Sequence, residues 1–173
     1  METINVLITV DADALANQLK DGKIQKGTQD APTPLGSYSQ SDVYITMISQ
    51  SGNVINNTQG QSELSIKCNS GDTIQWAITT FTNNFDYSVS LYNGSFSPAD
   101  AMNPLTYNSS QAKNYLPNSS HILTQYTNQV AVAQAQVAEV NKQITYNLSF
   151  QLVNNSTGNI IGYFMWDPFI TVS

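Results

Sequence analysis

The stretch Asn159-Ile-Ile-Gly-Tyr-Phe-Met-Trp-Asp-Pro-Phe-Ile-Thr-Val-Ser173 decides how this chain is read. Its apolar side chains fall on both parities: Ile161, Tyr163 and Met165 on one, Ile160, Phe164 and Trp166 on the other. A strand with one wet face would alternate cleanly. This strand is therefore covered on both sides, or one of its faces is an interface. Pro168 has no N–H and cannot sit mid-ladder in a central strand. The reading is a strand over residues 160–166, a bulge or kink at Asp167-Pro168, and a continuation over residues 169–172. Phe164, Trp166 and Phe169 are assigned to the core.

Upstream, Ile144, Tyr146, Leu148, Phe150 and Leu152 alternate with Thr145, Asn147, Ser149 and Gln151. This is the cleanest strand pattern in the chain, and Asn154-Asn-Ser-Thr-Gly158 turns it into the terminal strand. At the other end, Ile4, Val6, Ile8 and Val10 mark a first strand. It runs into a short helix that Asp11 or Asp13 can cap, with Leu15 and Leu19 one turn apart. Residues 43–48 read as a second strand. Leu64, Ile66 and Cys68, then Ile74, Trp76 and Ile78, read as a hairpin around Asn69-Ser-Gly-Asp72, with Trp76 in the core. Cys68 falls on the apolar face and reads as a small core hydrophobe. Tyr87, Val89 and Leu91 form a further strand.

Three segments lack such a pattern. Residues 20–40 form a polar loop with Gly22, Gly27, Pro32, Pro34 and Gly36. Residues 93–128 contain Pro98, Pro104 and Pro117 and no period-2 run, so they read as a long loop. A loop of that length in a compact domain needs a task or is mobile. Its Tyr107, Tyr115, His121 and Tyr126 are the candidate ligand-binding residues. Residues 129–141 fit either a helical stripe or a strand whose phase slips between Val132 and Ala133, as a β-bulge would produce; the surroundings favour strand. The whole is an all-β chain of about eight strands and one short helix. Its expected architecture is a single domain, residues 1–173, folded as a two-sheet antiparallel β-sandwich of jelly-roll type.

Composition narrows the function. Charged residues make up 10% of the chain, there is no arginine, and the net charge is −6. Nucleic-acid binding rests on Lys and Arg neutralising phosphates, so DNA and RNA are not expected as partners. The polar surface is built instead from 19 Asn, 15 Gln and many Ser and Thr. Such a surface repels copies of itself weakly. Self-association, a dimer first, is the expectation, with a glycan as an alternative partner for so many neutral hydrogen-bonding groups. No basic stretch followed by an apolar run marks a signal peptide, and no stretch nears eighteen apolar residues. A cytoplasmic protein without a membrane span is expected.

Nothing in the sequence builds a catalytic set. His121 is the only imidazole, and no Gly-x-Ser-x-Gly elbow accompanies it. One Cys and one His cannot make a zinc site. Asp72, Asp86, Asp100 and Asp167 lie in separate segments, and no phosphate-cradling glycine loop is present. The chain reads as non-enzymatic, with no catalytic, metal or cofactor-binding residues and no cofactor.

Four stretches carry a resemblance. They are Ile4-Asn-Val-Leu-Ile-Thr-Val-Asp-Ala-Asp-Ala-Leu15, Gly71-Asp-Thr-Ile-Gln-Trp76, Asp86-Tyr-Ser-Val-Ser-Leu-Tyr92 and Gly162-Tyr-Phe-Met-Trp-Asp-Pro-Phe-Ile170. Together they resemble the inclusion body protein family, typified by PixA and AidA, over nearly the whole chain. Residues 96–126 match the pattern least. The resemblance implies an abundant, soluble protein of host-associated bacteria that gathers in dense cytoplasmic inclusions. It also implies a link to quorum-sensing control for AidA-type members, and it carries no catalytic motif. A lectin-like carbohydrate-binding β-sandwich is the alternative, on fold analogy alone.

Overall fold

The computed structural model describes residues 1–138 and 143–172, except the side chains of Phe169, Thr171 and Val172. Two sheets face each other across one cluster of buried apolar side chains. The first contains β1 (Thr3–Val10), β3 (Ile45–Ser49), β5 (Thr73–Thr80), β7 (Thr106–Pro117) and β8 (Leu123–Gln136), in the order β3-β1-β5-β8-β7. The second is built around β9 (Gln143–Asn154). On one side of β9 runs β6 (Tyr87–Ser97); on the other run β10 (Asn159–Trp166) and β11 (Phe169–Val172), end to end. The short β2 (Thr33–Pro34) flanks β10 and β4 (Ser65–Cys68) flanks β11, both parallel. One helix, α1 (Ala12–Lys20), follows β1; the Asp11 carboxylate caps it by accepting from the Ala14 N–H at 2.9 Å.

The terminal stretch behaves as its residues dictate. Gly162, Phe164 and Trp166 point into the core, and the strand breaks at Asp167-Pro168. The Tyr146 N–H donates to the Pro168 carbonyl at 3.1 Å, so the ladder with β9 resumes immediately. A register shift between Ile160 and Gly162 adds a bulge. Gly162 is required there: a Cβ would lie 2.6 Å from the Phe164 ring. The opposite parity, Tyr163 and Met165, is half-covered by the chain itself. Lys26 O accepts from Tyr163 N at 2.8 Å, Leu35 N donates to Met165 O at 2.9 Å, and the Tyr92 ring stands edge-on to Tyr163. The backbone of Phe169 is in β11; its packing lies outside the described residues.

Several expectations are corrected. The sheets are mixed, not purely antiparallel, because β1 lies parallel to β5 in the register Thr3↔Thr73 to Val10↔Thr80. The expected hairpin over residues 63–78 does not form: β4 and β5 belong to different sheets. Asn69 to Asp72 is a corner across the sandwich. One Asp72 oxygen accepts from Asn69 N at 2.9 Å and the other from Glu2 N at 2.8 Å. That second bond sets the start of β1 beside the start of β5, which explains the parallel register. Glu63 and Ser65 are buried, and the strand expected over residues 43–48 starts at Ile45, with Val43 exposed.

The largest correction concerns residues 93–128. They are mostly strand: β6 runs on to Ser97, and β7 and β8 pair without interruption from Thr106↔Gln134 to Pro117↔Leu123. Twelve successive pairs, at about 3.3 Å per residue, make an arm roughly 40 Å long. Beyond its root nearly every side chain is exposed on both faces. Strand is right for residues 129–136, but no bulge interrupts them. Ala133, Ala135 and Val137 point inward on one parity, while Val130 and Val132 lie on the other face. Residues 139–141 of that segment lie outside the described residues.

Candidate functional site

The four expected ligand-binding residues are not gathered together. Tyr107 sits at the root of the arm opposite Ala133, and Tyr115 lies eight residues further out, opposite Gln125. At about 3.3 Å per residue that separation is roughly 26 Å. Tyr126 pairs with Asn114 and so points to the other face of the arm from Tyr115. His121 occupies the tip with φ at 60°, in a turn closed by Asn118. The Asn118 side chain accepts from Ser120 N at 2.9 Å and Ile122 N at 3.0 Å. Of the four, Tyr107 borders the best-formed cavity.

That cavity is a cleft of about 380 Å³ between the two sheets, where β6 of one faces the root of β8 in the other. Trp76 and Ile78 of β5 and Ala131 and Ala133 of β8 form one wall; Val89 and Leu91 of β6 form the other. Three alternate positions of β8, Ala131, Ala133 and Ala135, put only methyl groups on the inner face. Two of them border the cleft, and larger side chains there would fill it. Trp76 is fully buried and closes the floor. Its indole N–H donates to the Tyr146 hydroxyl at 3.3 Å, and Phe96 completes a three-ring cluster with centroids 5.5–6.4 Å apart.

Two tyrosines flank the opening. Tyr92 sits where β6 shifts register against β9, between Leu91 and Asn93. Bulges re-aim side chains; here the Tyr92 ring meets Tyr163, and its hydroxyl donates to Gln29 O at 3.1 Å. Burial pushes the Tyr92 phenol above its ordinary value, eased by a hydrogen bond with Ser149 and raised further by Tyr163 and Asp30. Burial likewise raises Tyr107, with Tyr92 adding to the effect. Both phenols are therefore neutral at physiological pH. Asn84, Ser90 and Gln129 supply the remaining polar groups, and among the described residues no charged side chain lines the cleft. Sequence reasoning missed it; the signal was the alanine alternation in β8.

A second polar cluster lies at the other end of the terminal strand. Glu63, buried, accepts from Tyr38 N at 2.6 Å. Burial raises its carboxyl; hydrogen bonding from Tyr38 opposes this, and the charges of Asp167 and Asp42 add to it. The Asp42 carboxylate accepts from the Ser62 N–H and hydroxyl, each at 2.7 Å. Among the described residues no group of three or more His, Cys, Asp or Glu side chains is placed to hold a metal ion. No helix among them is long and apolar enough to cross a membrane.

Comparison with known proteins places this architecture. The chain superimposes on the crystal structure of the PixA inclusion body protein from Burkholderia cenocepacia J2315 with a TM-score of 0.76. The match spans 99% of this chain and 96% of that one at 16% identity, so it speaks for the fold. The Entamoeba histolytica cysteine protease inhibitor aligns over 61% of this chain and 83% of its own at 15% identity, with a TM-score of 0.27, too low to carry any argument. No curated protein matches the chain in sequence. The family model described as PixA, inclusion body protein, matches residues 2–172. With that match running through both sheets and the arm, the chain belongs to the PixA inclusion body protein family.

Proposed function

We propose that this is a non-enzymatic protein that associates with copies of itself and accumulates in cytoplasmic inclusions. The observation that carries the reading is the β7–β8 arm. A two-stranded ribbon alone in water is marginally stable. This one also exposes Tyr115, Leu116, Ile122, Leu123 and Val130. Its cleft-side face continues the inner face of the first sheet, which in the body is covered by the second sheet and in the arm is bare.

Electrostatics favours a second copy as the cover. Residues 101–138 contain no Asp or Glu and a single lysine, Lys113, in a chain of net charge −6. Two arms meet without the carboxylate repulsion that the rest of the surface would bring. The free edge of β7 adds an unpaired row of N–H and C=O groups, a template for strand pairing. Sedimentation across a wide concentration range tests this. The protein should form dimers and larger species that persist in high salt, because few charges take part. Tyr115→Ser with Leu123→Ser should shift it to monomer while leaving the melting temperature unchanged. A protein that is monomeric at high concentration, or a double variant that assembles as before, overturns the proposal.

A further inference from the structure

We infer that the cleft at the root of the arm is a binding site for a neutral, mostly apolar small molecule. Its volume, about 380 Å³, falls in the range of roughly 300–1,000 Å³ typical of small-ligand sites. Its walls have the composition such sites show, an apolar and aromatic lining with a few polar groups at the rim.

The lining selects the ligand's chemistry. With no Lys, Arg, Asp or Glu among the described residues of the walls, an ionised ligand would lose hydration and gain no counter-charge. Val89, Leu91, Ala131 and Ala133 offer nothing to a hydroxyl, so a sugar would bury several of its own unpaired. The Trp76 N–H is already used by Tyr146, and the Ser90 hydroxyl, on the exposed parity opposite Val89 and Leu91, accepts from Gln151 at 3.0 Å. Among the described residues, the Tyr107 hydroxyl and the Gln129 amide make no hydrogen bond. They can orient a ligand that carries one or two polar atoms. A flat ring system fits best, because it lies between the methyl groups of β8 and the branched side chains of β6, above the Trp76 indole.

The test is a titration with N-phenyl-1-naphthylamine, a neutral two-ring fluorophore, beside 8-anilino-1-naphthalenesulfonate, a close relative that carries a sulfonate. The neutral probe should bind at about one equivalent per chain and draw energy from tryptophan. It should bind at least tenfold more tightly than the sulfonate. Ala131→Trp, at the exposed mouth, should abolish binding with the fold retained. Gln129→Lys should bring the sulfonate up towards the neutral probe. Leu123→Ser, far out on the arm, should bind as the parent does, which separates the cleft from the self-association surface. Equal affinity for both probes, no saturable binding of the neutral one, competition by simple sugars, or undiminished binding in Ala131→Trp overturns the inference.

Discussion

The indole N–H of Trp166 donates to the carbonyl oxygen of Ser62 at 3.0 Å, buried between the terminal strand and the turn before β4. Ser62 is itself held by Asp42 and by a 2.7 Å contact with the Ser41 hydroxyl. One side chain thus couples the end of the chain to two loops a hundred residues earlier. Trp166→Ala should lower stability by about 3–5 kcal/mol, the usual cost of emptying a buried aromatic site. Trp166→Phe should cost about 1–3 kcal/mol, because the Ser62 carbonyl is left without its donor. Urea denaturation with an unchanged slope measures both, and an unchanged midpoint for Trp166→Ala would contradict the assignment.

Gly162→Ala is expected to be nearly as damaging. The new methyl group meets the Phe164 ring, which packs tilted against Phe150 with centroids 5.5 Å apart in the core. Overpacking of this kind costs about 1–3 kcal/mol. Thermal melting reads it, and a substitution at Gly52, where a Cβ meets nothing within 4 Å, serves as the control.

The Cys68 thiol should be silent in the folded protein. Burial, with the Asp72 charge adding to it, pushes it up to about 12. Thiolate is the reactive form, so a disulfide reagent should label the chain only after denaturant is added. Rapid labelling of native protein would refute this.

Stability should depend on pH in two opposite ways. Glu63 has a folded value above its ordinary 4.5, chiefly through burial. The folded state holds that proton longer than the unfolded chain does. The stability linked to it is therefore present below 4.5 and is lost as pH rises through the folded value. Asp72 behaves in reverse. Burial would raise it, but the N–H groups of Asn69 and Glu2, the Asn69 amide and the N-terminal amine hold it below 3.8. Its contribution is present above 3.8 and is lost as pH falls through the lowered value. Glu63→Gln should flatten the decline that sets in above pH 4.5, and Asp72→Asn should flatten the loss that sets in below pH 3.8. Melting curves across pH decide both; a parallel profile for either variant counts against its assignment.

What could be read in advance follows from what a burial pattern encodes. The terminal strand and its break were legible because aromatics on both parities and Pro168 each have few structural solutions. The β9 pattern was legible because one of its faces is buried along its length. The arm was not, because alternation appears only where one face is buried, and β7 is exposed on both. Reading residues 63–78 as a hairpin failed for another reason. Alternation reports which face is inward but not which sheet the strand joins, and both sheets of a sandwich share the same interior. The cleft was hidden because a ligand cavity is marked by small residues where large ones would fit, and alanine in a strand reads as unremarkable.

The parallel pairing of β1 with β5, residue i against residue i+70, sets a timetable for the newborn chain. At about 5–20 residues per second, β5 is synthesised roughly 4–14 s after β1. For that interval β1 has only β3 beside it. The second sheet waits longer still, since β2, β4 and β6 find their strand partners in β10, β11 and β9, much later in sequence. The second sheet therefore closes only once β9 to β11 have been synthesised, and contacts so distant in sequence form slowly. A chain cut short before β9 leaves β2, β4 and β6 with no sheet to join. Such fragments would depend on chaperones, whereas a chain that includes β9 to β11 can close both sheets.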